Sequence, residues 1–413
     1  MKNQIWAICV CTMCGALHAT MPSVTDVSIV DNDGLLTVSY TLDIAAVITL
    51  DATTNGVPVD SAHVKSASGD VWKLVSAGRG TFTWRPANDV PFFNLASANL
   101  QMRVKAWDID APPDYMVVSL ATNATVNVGV AYYENVAQLP GCITDPVYKT
   151  SKLVMRKIPA ANVTWRMGSP SNETGRGTRA DPETAHYVTL TEDFYIGVYP
   201  VTVAQWKYMD GAESSDMAAC PVNTMSDLRG TSATDKRWPG DGHEISANGS
   251  RLAVIRAYTG IDFDLPTEAQ WEFACRAGER AALYTGKELS NTTSCPETDE
   301  VAWYNAFSGT YKYPAYKEVG LKKPNAYGLY DMLGNAWELC LDRYTSDLGT
   351  ASAIDPKGAD TGDVFIKRGG AIDSLACQCR SSSRSHSNGW SDPYSPRNRN
   401  TGYRLWAAAQ AVK

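Results

Sequence analysis

Residues 22 to about 130 alternate short runs of strand-forming residues with turn residues, a pattern that selects an all-β unit. Val27-Ser28-Ile29-Val30 and Leu36-Thr37-Val38-Ser39-Tyr40 flank Asp31-Asn32-Asp33-Gly34, a turn signal between two strands. Further strands are predicted at Val71–Val75, Gly80–Trp84, Leu100–Trp107 and Met116–Leu120, separated by Gly, Pro, Asn and Asp. Short strands at this spacing predict a β-sandwich of immunoglobulin or fibronectin type, with no cysteine and no recognisable chemistry. A spacer or docking role suits it.

The stretch 131–149 reads as a linker, and beyond it the character changes. Leu153–Pro159 and Val163–Met167 read as strands, and Ser169–Asp181 as a polar loop. Helix starts follow. Thr202-Val-Ala-Gln205 and Thr267-Glu-Ala-Gln270 are capping boxes, in which the Thr hydroxyl accepts from the third helical amide and Gln reaches back to the cap. The second box follows Pro266, and its helix is stopped by Gly278. Leu252, Ile255 and Tyr258 recur at helical spacing. After Gly278 loops dominate, and much of the core filling falls to aromatics, of which the chain has 12 Trp and 20 Tyr.

The N-terminus bears on compartment. Lys2, the apolar run Ile5–Ala16 and Leu17-His18-Ala19 have the layout of a secretory signal spanning residues 1–19. A buried strand or helix, or a lipid anchor at Cys14, are the other readings. Export to a periplasmic, surface or secreted location is expected, with no later stretch apolar enough to span a bilayer. Cleavage would remove three of the ten cysteines and leave Cys142, Cys220, Cys275, Cys295, Cys340, Cys377 and Cys379. Disulfides are then expected, and an odd number leaves one thiol over. The net charge of −7 and the lack of a Lys/Arg run argue against nucleic acid, which wants a basic face. The histidines His63, His186, His243 and His386 lack metal-ligand spacing, and no P-loop, G-x-S-x-G or dinucleotide fingerprint occurs.

Five segments then stand in order: Phe194–Thr202, Leu265–Gly278, Pro324–Glu338, Arg368-Gly-Gly370 and Gly402-Tyr-Arg404. In sequence and spacing they resemble the formylglycine-generating (sulfatase-modifying factor) family, over roughly residues 150–406. The resemblance implies a domain of low secondary-structure content, related to the C-type lectin fold. The whole chain is therefore expected to be α+β, an N-terminal sandwich followed by this domain.

The resemblance also implies chemistry. The family's enzymes oxidise a sulfatase cysteine to formylglycine, using O2 and copper(I) held by two cysteines. Soft thiolates suit copper(I) because the ion is itself soft. The cysteines lie four and nine residues after Arg-Gly-Gly, and a serine directly follows the motif. Here those places hold Ser374, Cys379 and Ala371, so only Cys379 matches. Cys377 could supply a second sulfur: in an extended C-x-C both thiols share a face, about 6.5–7 Å apart at Cα. The alternatives are bridges from each to remote cysteines, or burial. Cys275 and Cys340 are candidates for a structural disulfide, although the resemblance pairs the Cys275 position with one that is Leu405 here.

For calcium, the resemblance assigns the side chains of Asp331 and Glu338 and the carbonyls of Gly334 and Ala336. Carboxylates are hard donors matched to a hard ion; the plain alternative is that both cap turns. The expected partner is a sulfatase or another protein or peptide. Finally, the Ser-, Arg- and Asn-rich stretch Ser374–Thr401 has the composition of an adaptable binding surface. That gives a second functional expectation, a non-catalytic lectin-like binding module, beside a plain solvated loop.

Overall fold

The structure is a computed structural model. It describes residues 21–55, 57–59, 64, 66–89, 99–120, 129–177, 182–209, 211–219, 228, 250–305, 316–359, 364–387 and 400–409. The signal-like residues 1–19, Cys220 and residues 388–399 of the Ser/Arg-rich stretch lie outside the described residues. The fold is α+β, with many short strands and few helices. Two compact units share the described residues: one holds 21–117, 129–145 and Ala409, the other 118–120 and 146–408.

The N-terminal unit has two antiparallel sheets. In one, Val24–Asn32, Leu35–Leu42, Gly78–Trp84 and Ser68–Gly69 pair in that order. In the other, Ala46–Thr54 pairs with Leu100–Trp107, Val57–Pro58 and Leu74–Val75. Leu35–Leu42 alternates half-buried and buried positions, and Leu36, Val38, Tyr40 and Leu42 form a core row. Asn32 pairs with Leu35, so Asp33 and Gly34 make a two-residue hairpin turn. Both have positive φ, 54° and 77°, as a turn matched to strand twist requires, and Gly34 N–H donates to Asp31 Oδ1 at 2.8 Å. The predicted strand Val71–Val75 shrinks to Leu74–Val75. Ala46–Thr54, which alternation does not reveal, is the strand around which the second sheet is built.

The stretch read as a linker carries the strand Val130–Tyr133 and two 3-10 turns, Val136–Gln138 and Pro146–Lys149. In the C-terminal unit, Lys152–Ile158, Phe194–Gly197 and Trp406–Ala408 pair antiparallel. Both capping boxes form. Thr202 starts the helix Val203–Met209, with bonds of 3.0 and 3.1 Å between it and Gln205. Thr267 starts Glu268–Arg276, which ends where Ala277 and Gly278 turn left-handed. Ser250 caps Arg251–Thr259.

The helix Glu268–Arg276 packs on a four-stranded sheet ordered Arg384–Ser387, Phe365–Arg368, Trp337–Arg343 and Thr401–Gly402. Every residue of Trp337–Arg343 is buried. This sheet carries the Arg-Gly-Gly and Gly-Tyr-Arg motifs and Glu338, and so positions the candidate site.

Candidate functional site

At the end of Phe365–Arg368 the chain turns through Gly369 and Gly370, at φ 93° and 80°. Side chains are excluded here: a Cβ on Gly369 would lie 2.7 Å from Met332 O, and one on Gly370 would lie 2.6 Å from Cys379 Sγ. The loop that follows is stitched to the calcium-type segment. Gly334 N–H donates to Gly369 O at 2.8 Å and Ile372 N–H to Asn335 O at 2.9 Å. The two segments that the sequence singled out are thus neighbours.

Ser374 occupies the first sulfur position. Its hydroxyl accepts the Ala371 N–H at 3.0 Å, and its own N–H donates to Ala371 O at 2.9 Å. Ser374 closes a tight turn instead of offering a ligand. Ala371, in the serine position, is fully buried and carries no hydroxyl. The C-x-C segment is not extended. Ala376–Gln378 forms a 3-10 turn, so Cys377 and Cys379 point about 120° apart around its axis, since three residues make a turn. Cys377 packs against Gly175 and Cys379 against Gly370. Both thiols are buried, and burial pushes the Cys379 thiol far up, helped by Cys377, Asp373 and Cys295 nearby. A copper(I) pair needs two thiolates aimed at one ion. These residues do not fit that group.

No disulfide joins any two cysteines among the described residues. The expected Cys275–Cys340 bridge is absent. Cys275 sits buried within the helix; Cys340 lies on the central strand with its thiol on Glu338 O. Burial raises both, Cys275 to about 12. Among the described residues, Cys142 is the exposed thiol.

The calcium-type residues are close in sequence but not in one turn: Asp331 lies in a loop, Gly334 in the short strand Leu333–Gly334, Ala336 in a bend and Glu338 on Trp337–Arg343, and Asp331, Gly334 and Asn335 have positive φ. Asp331 is buried. Its Oδ2 accepts Gly320 N–H at 2.6 Å, while Oδ1 has no hydrogen-bond partner. Burial, with Glu338 nearby, pushes the Asp331 carboxyl up to about 6. Glu338 is bonded three times, to Arg404 Nε at 2.6 Å, Arg404 Nη2 at 2.7 Å and Trp271 Nε1 at 2.6 Å. A carboxylate offers about four lone-pair directions, so one remains. The orphaned Asp331 oxygen fits a hard cation, which would offset the cost of keeping Asp331 ionised; the Gly334 carbonyl accepts the Ala336 N–H at 2.8 Å.

A further feature escaped the sequence reading. Four more arginines from the motif region are buried against glutamates. Arg368 bonds Glu272 and approaches Glu268, and Arg276 Nε donates to Glu272 at 2.8 Å. Arg384 grips Glu268 with two bonds, at 2.6 and 3.0 Å. Arg380 bridges Glu173 and Glu183. Burial opposes the charge on Glu272, but Arg276 and Arg368 outweigh it and hold that carboxyl below its usual range. Asp342 lies beside Glu268, accepts its N–H at 2.6 Å, and has no ion pair among the described residues. Burial, then the Glu268 charge, push Asp342 up to about 8.

The consequence for the Ser/Arg-rich stretch is direct. Residues 380–384 are buried, as are Ser374, Cys377 and Thr401, so the described core of Ser374–Thr401 is interior packing and not an adaptable surface. Asp373 remains exposed at the rim, its carboxylate accepting Asn400 Nδ2 at 3.0 and 3.1 Å.

A family model described as "Sulfatase-modifying factor enzyme 1-like domain" matches residues 155–409. The formylglycine-generating enzyme of Thermomonospora curvata is 36% identical over 119 residues, 26% of this chain and 38% of that protein. A Paenibacillus barcinonensis protein named chaperone protein LppX is 30% identical over 183 residues, 37% of this chain and 63% of that one. The match thus spans less than two thirds of either relative. Among solved structures, PvdO from Pseudomonas aeruginosa aligns with a TM-score of 0.47 at 19% identity, covering 62% of this chain and 94% of that one.

Proposed function

Because this chain belongs to the family of sulfatase-modifying factor enzyme 1-like domains, we propose that its C-terminal unit is an exported, protein-directed binding module on that scaffold, without copper-dependent oxidation of a peptide cysteine. The observation that carries the reading is Ser374. A hydroxyl stands where the family places a thiolate, and it is already spent on the Ala371 N–H. A serine hydroxyl is a hard donor that stays protonated near neutral pH, so it cannot stand in for sulfur toward a soft ion. Cys379 alone, buried and resistant to ionisation, offers one donor of the two. The relative named a chaperone protein supports a protein partner over a small molecule. Calcium, on this reading, is structural: Asp331 and Glu338 with the Gly334 and Ala336 carbonyls would hold it beneath the Arg-Gly-Gly loop. Hard oxygen ligation of that kind adds stability to a loop-rich domain.

The test is copper(I) titration of the reduced, full-length protein, followed by incubation with a sulfatase-derived cysteine peptide under O2. The expected result is no copper complex that depends on Cys379 and no aldehyde in the peptide. A one-to-one complex abolished by Cys379→Ala, together with conversion of the peptide, would overturn the proposal.

A further inference from the structure

The segment 169–177 is fastened to the rest of its unit in an unusual way. It lies in no sheet or helix; its internal bonds are turn bonds, Glu173 N–H to Pro170 O and Arg176 N–H to Glu173 O, both at 3.1 Å. Ser171, Asn172 and Thr174 face solvent, while Glu173 and Gly175 face inward. What they meet inside is the C-x-C turn and the arginine that follows it. A Cβ on Gly175 would sit 2.7 Å from the Cys377 Cβ and 3.4 Å from Arg380 Nε, so the bare backbone at φ 89° lies flat on the cysteine.

Arg380 is the fastener. Its side chain is fully buried and reaches six oxygens of five other residues, Ser382 Oγ among them at 3.1 Å from Nη1. Nε donates to Cys377 O at 2.8 Å, and Nη2 to Gly175 O at 3.3 Å and Glu183 Oε1 at 2.6 Å. Nη1 donates to Glu183 Oε2 at 2.9 Å and to Glu173. Ser382 Oγ donates to Glu173 at 3.1 Å and Ser169 Oγ to Glu183 at 2.7 Å. One guanidinium thus ties the segment (Glu173, Gly175) to the turn (Cys377) and to the strand entry (Glu183).

We propose that residues 169–177 form a strap, latched by Arg380 between Glu173 and Glu183, that seals the Cys377–Cys379 turn from solvent. Opening of the strap is cooperative. A segment without ladder bonds opens locally once its few buried contacts break, at a cost well below global unfolding. Arg380 faces two carboxylates, so replacing Glu183 by Gln leaves the Arg380–Glu173 pair but puts an amide nitrogen, which cannot accept, in place of one of the two Glu183 oxygens that hold the guanidinium, and the latch loosens. Access of soft electrophiles or soft metals to these thiols is then set by the strap. This goes beyond the binding-module reading and holds whether or not copper binds.

Thiol alkylation of the full-length protein, read by peptide mass spectrometry, tests it. In the native wild type, N-ethylmaleimide should modify exposed Cys142 quickly and Cys377 slowly. Glu183→Gln should speed Cys377 modification at least tenfold while Cys275 and Cys340 keep their wild-type rates. Gly175→Ala, which leaves every charge in place but cannot seat its methyl against Cys377, should do the same. A third arm needs no variant: in urea below the unfolding transition, wild-type Cys377 should become reactive before Cys275 and Cys340. Unchanged Cys377 rates in a folded variant, or simultaneous release of all three thiols in urea, overturn the strap.

Discussion

Raising the pH from 5 to 8 should destabilise the C-terminal unit, and Asp342→Asn should remove most of that loss. The Asp342 carboxyl is buried and lifted from 3.8 to about 8, first by desolvation and then by the Glu268 charge. Between those values the folded protein keeps a proton that the unfolded chain has released. Stability therefore falls as pH rises through the window, by about 1.36 kcal/mol per pH unit for one proton. Over three units the ceiling is roughly 4 kcal/mol; because buried sites respond as though their effective dielectric were near 20, about 2 kcal/mol is the working figure. Asparagine keeps the shape and an oxygen for the Glu268 N–H, which now reaches Asp342 at 2.6 Å, but it does not titrate. Any constant offset from its added N–H cancels when the difference between variant and wild type is followed against pH. The contribution of Asp331, raised to about 6, is common to both proteins and cancels as well. Urea unfolding followed by tryptophan fluorescence at pH 5, 6, 7 and 8 measures the difference. It should grow by about 2 kcal/mol in favour of the variant. A difference constant to within about 0.5 kcal/mol would mean that Asp342 ionises as an ordinary carboxylate, and the reasoning about this site would be wrong.

Two other outcomes are expected. Chelator should lower the melting temperature of the C-terminal unit, by the equivalent of about 2.7 kcal/mol if calcium is present at 100 times its dissociation constant; Asp331→Ala should abolish the sensitivity, and persistence of the shift in that variant would put the ion elsewhere. Thr267→Ala should cost about 1 kcal/mol in chemical denaturation, because it deletes the 3.2 Å bond from Gln270 N–H to the Thr267 hydroxyl while the return bond from Thr267 N–H to Gln270 survives; an unchanged midpoint would show that the cap contributes nothing.

What was legible in the sequence was local. The turn Asp31–Gly34 and the strand Leu100–Trp107 follow from turn chemistry and alternation. The two capping boxes give helix starts to the residue, because each is a closed pair of bonds within four positions. Ala46–Thr54 was not legible: its first five residues are all buried, so it has no polar face and reads as a plain apolar run. The C-x-C segment failed for a different reason. Extended geometry would have brought its thiols to one side, but the turn closed by Ser374 feeds directly into a 3-10 turn.

The arginines were misread because composition cannot see partners. Arg384 lies 116 residues from Glu268, and Arg380 lies 207 and 197 residues from Glu173 and Glu183. A stretch dense in Ser and Arg resembles a wet surface unless those carboxylates are known to come back to it. A signal was nevertheless available: Glu268 and Glu272 sit four apart on a helix whose other residues, Gln270 and Arg276 excepted, are apolar or aromatic, and buried carboxylates demand cations. The same frame explains how this fold can be held without the copper pair. Helix Glu268–Arg276 and the strands bearing Glu338, Arg368 and Arg384 are joined through the Arg–Glu contacts, and Arg404 ties in the chain's last motif. The sulfur positions hang on the loop 371–379, which that frame surrounds but does not require. Removing one carboxylate from the frame would strand a buried guanidinium at roughly 3–5 kcal/mol, whereas a serine at position 374 needs only the turn bond it already makes.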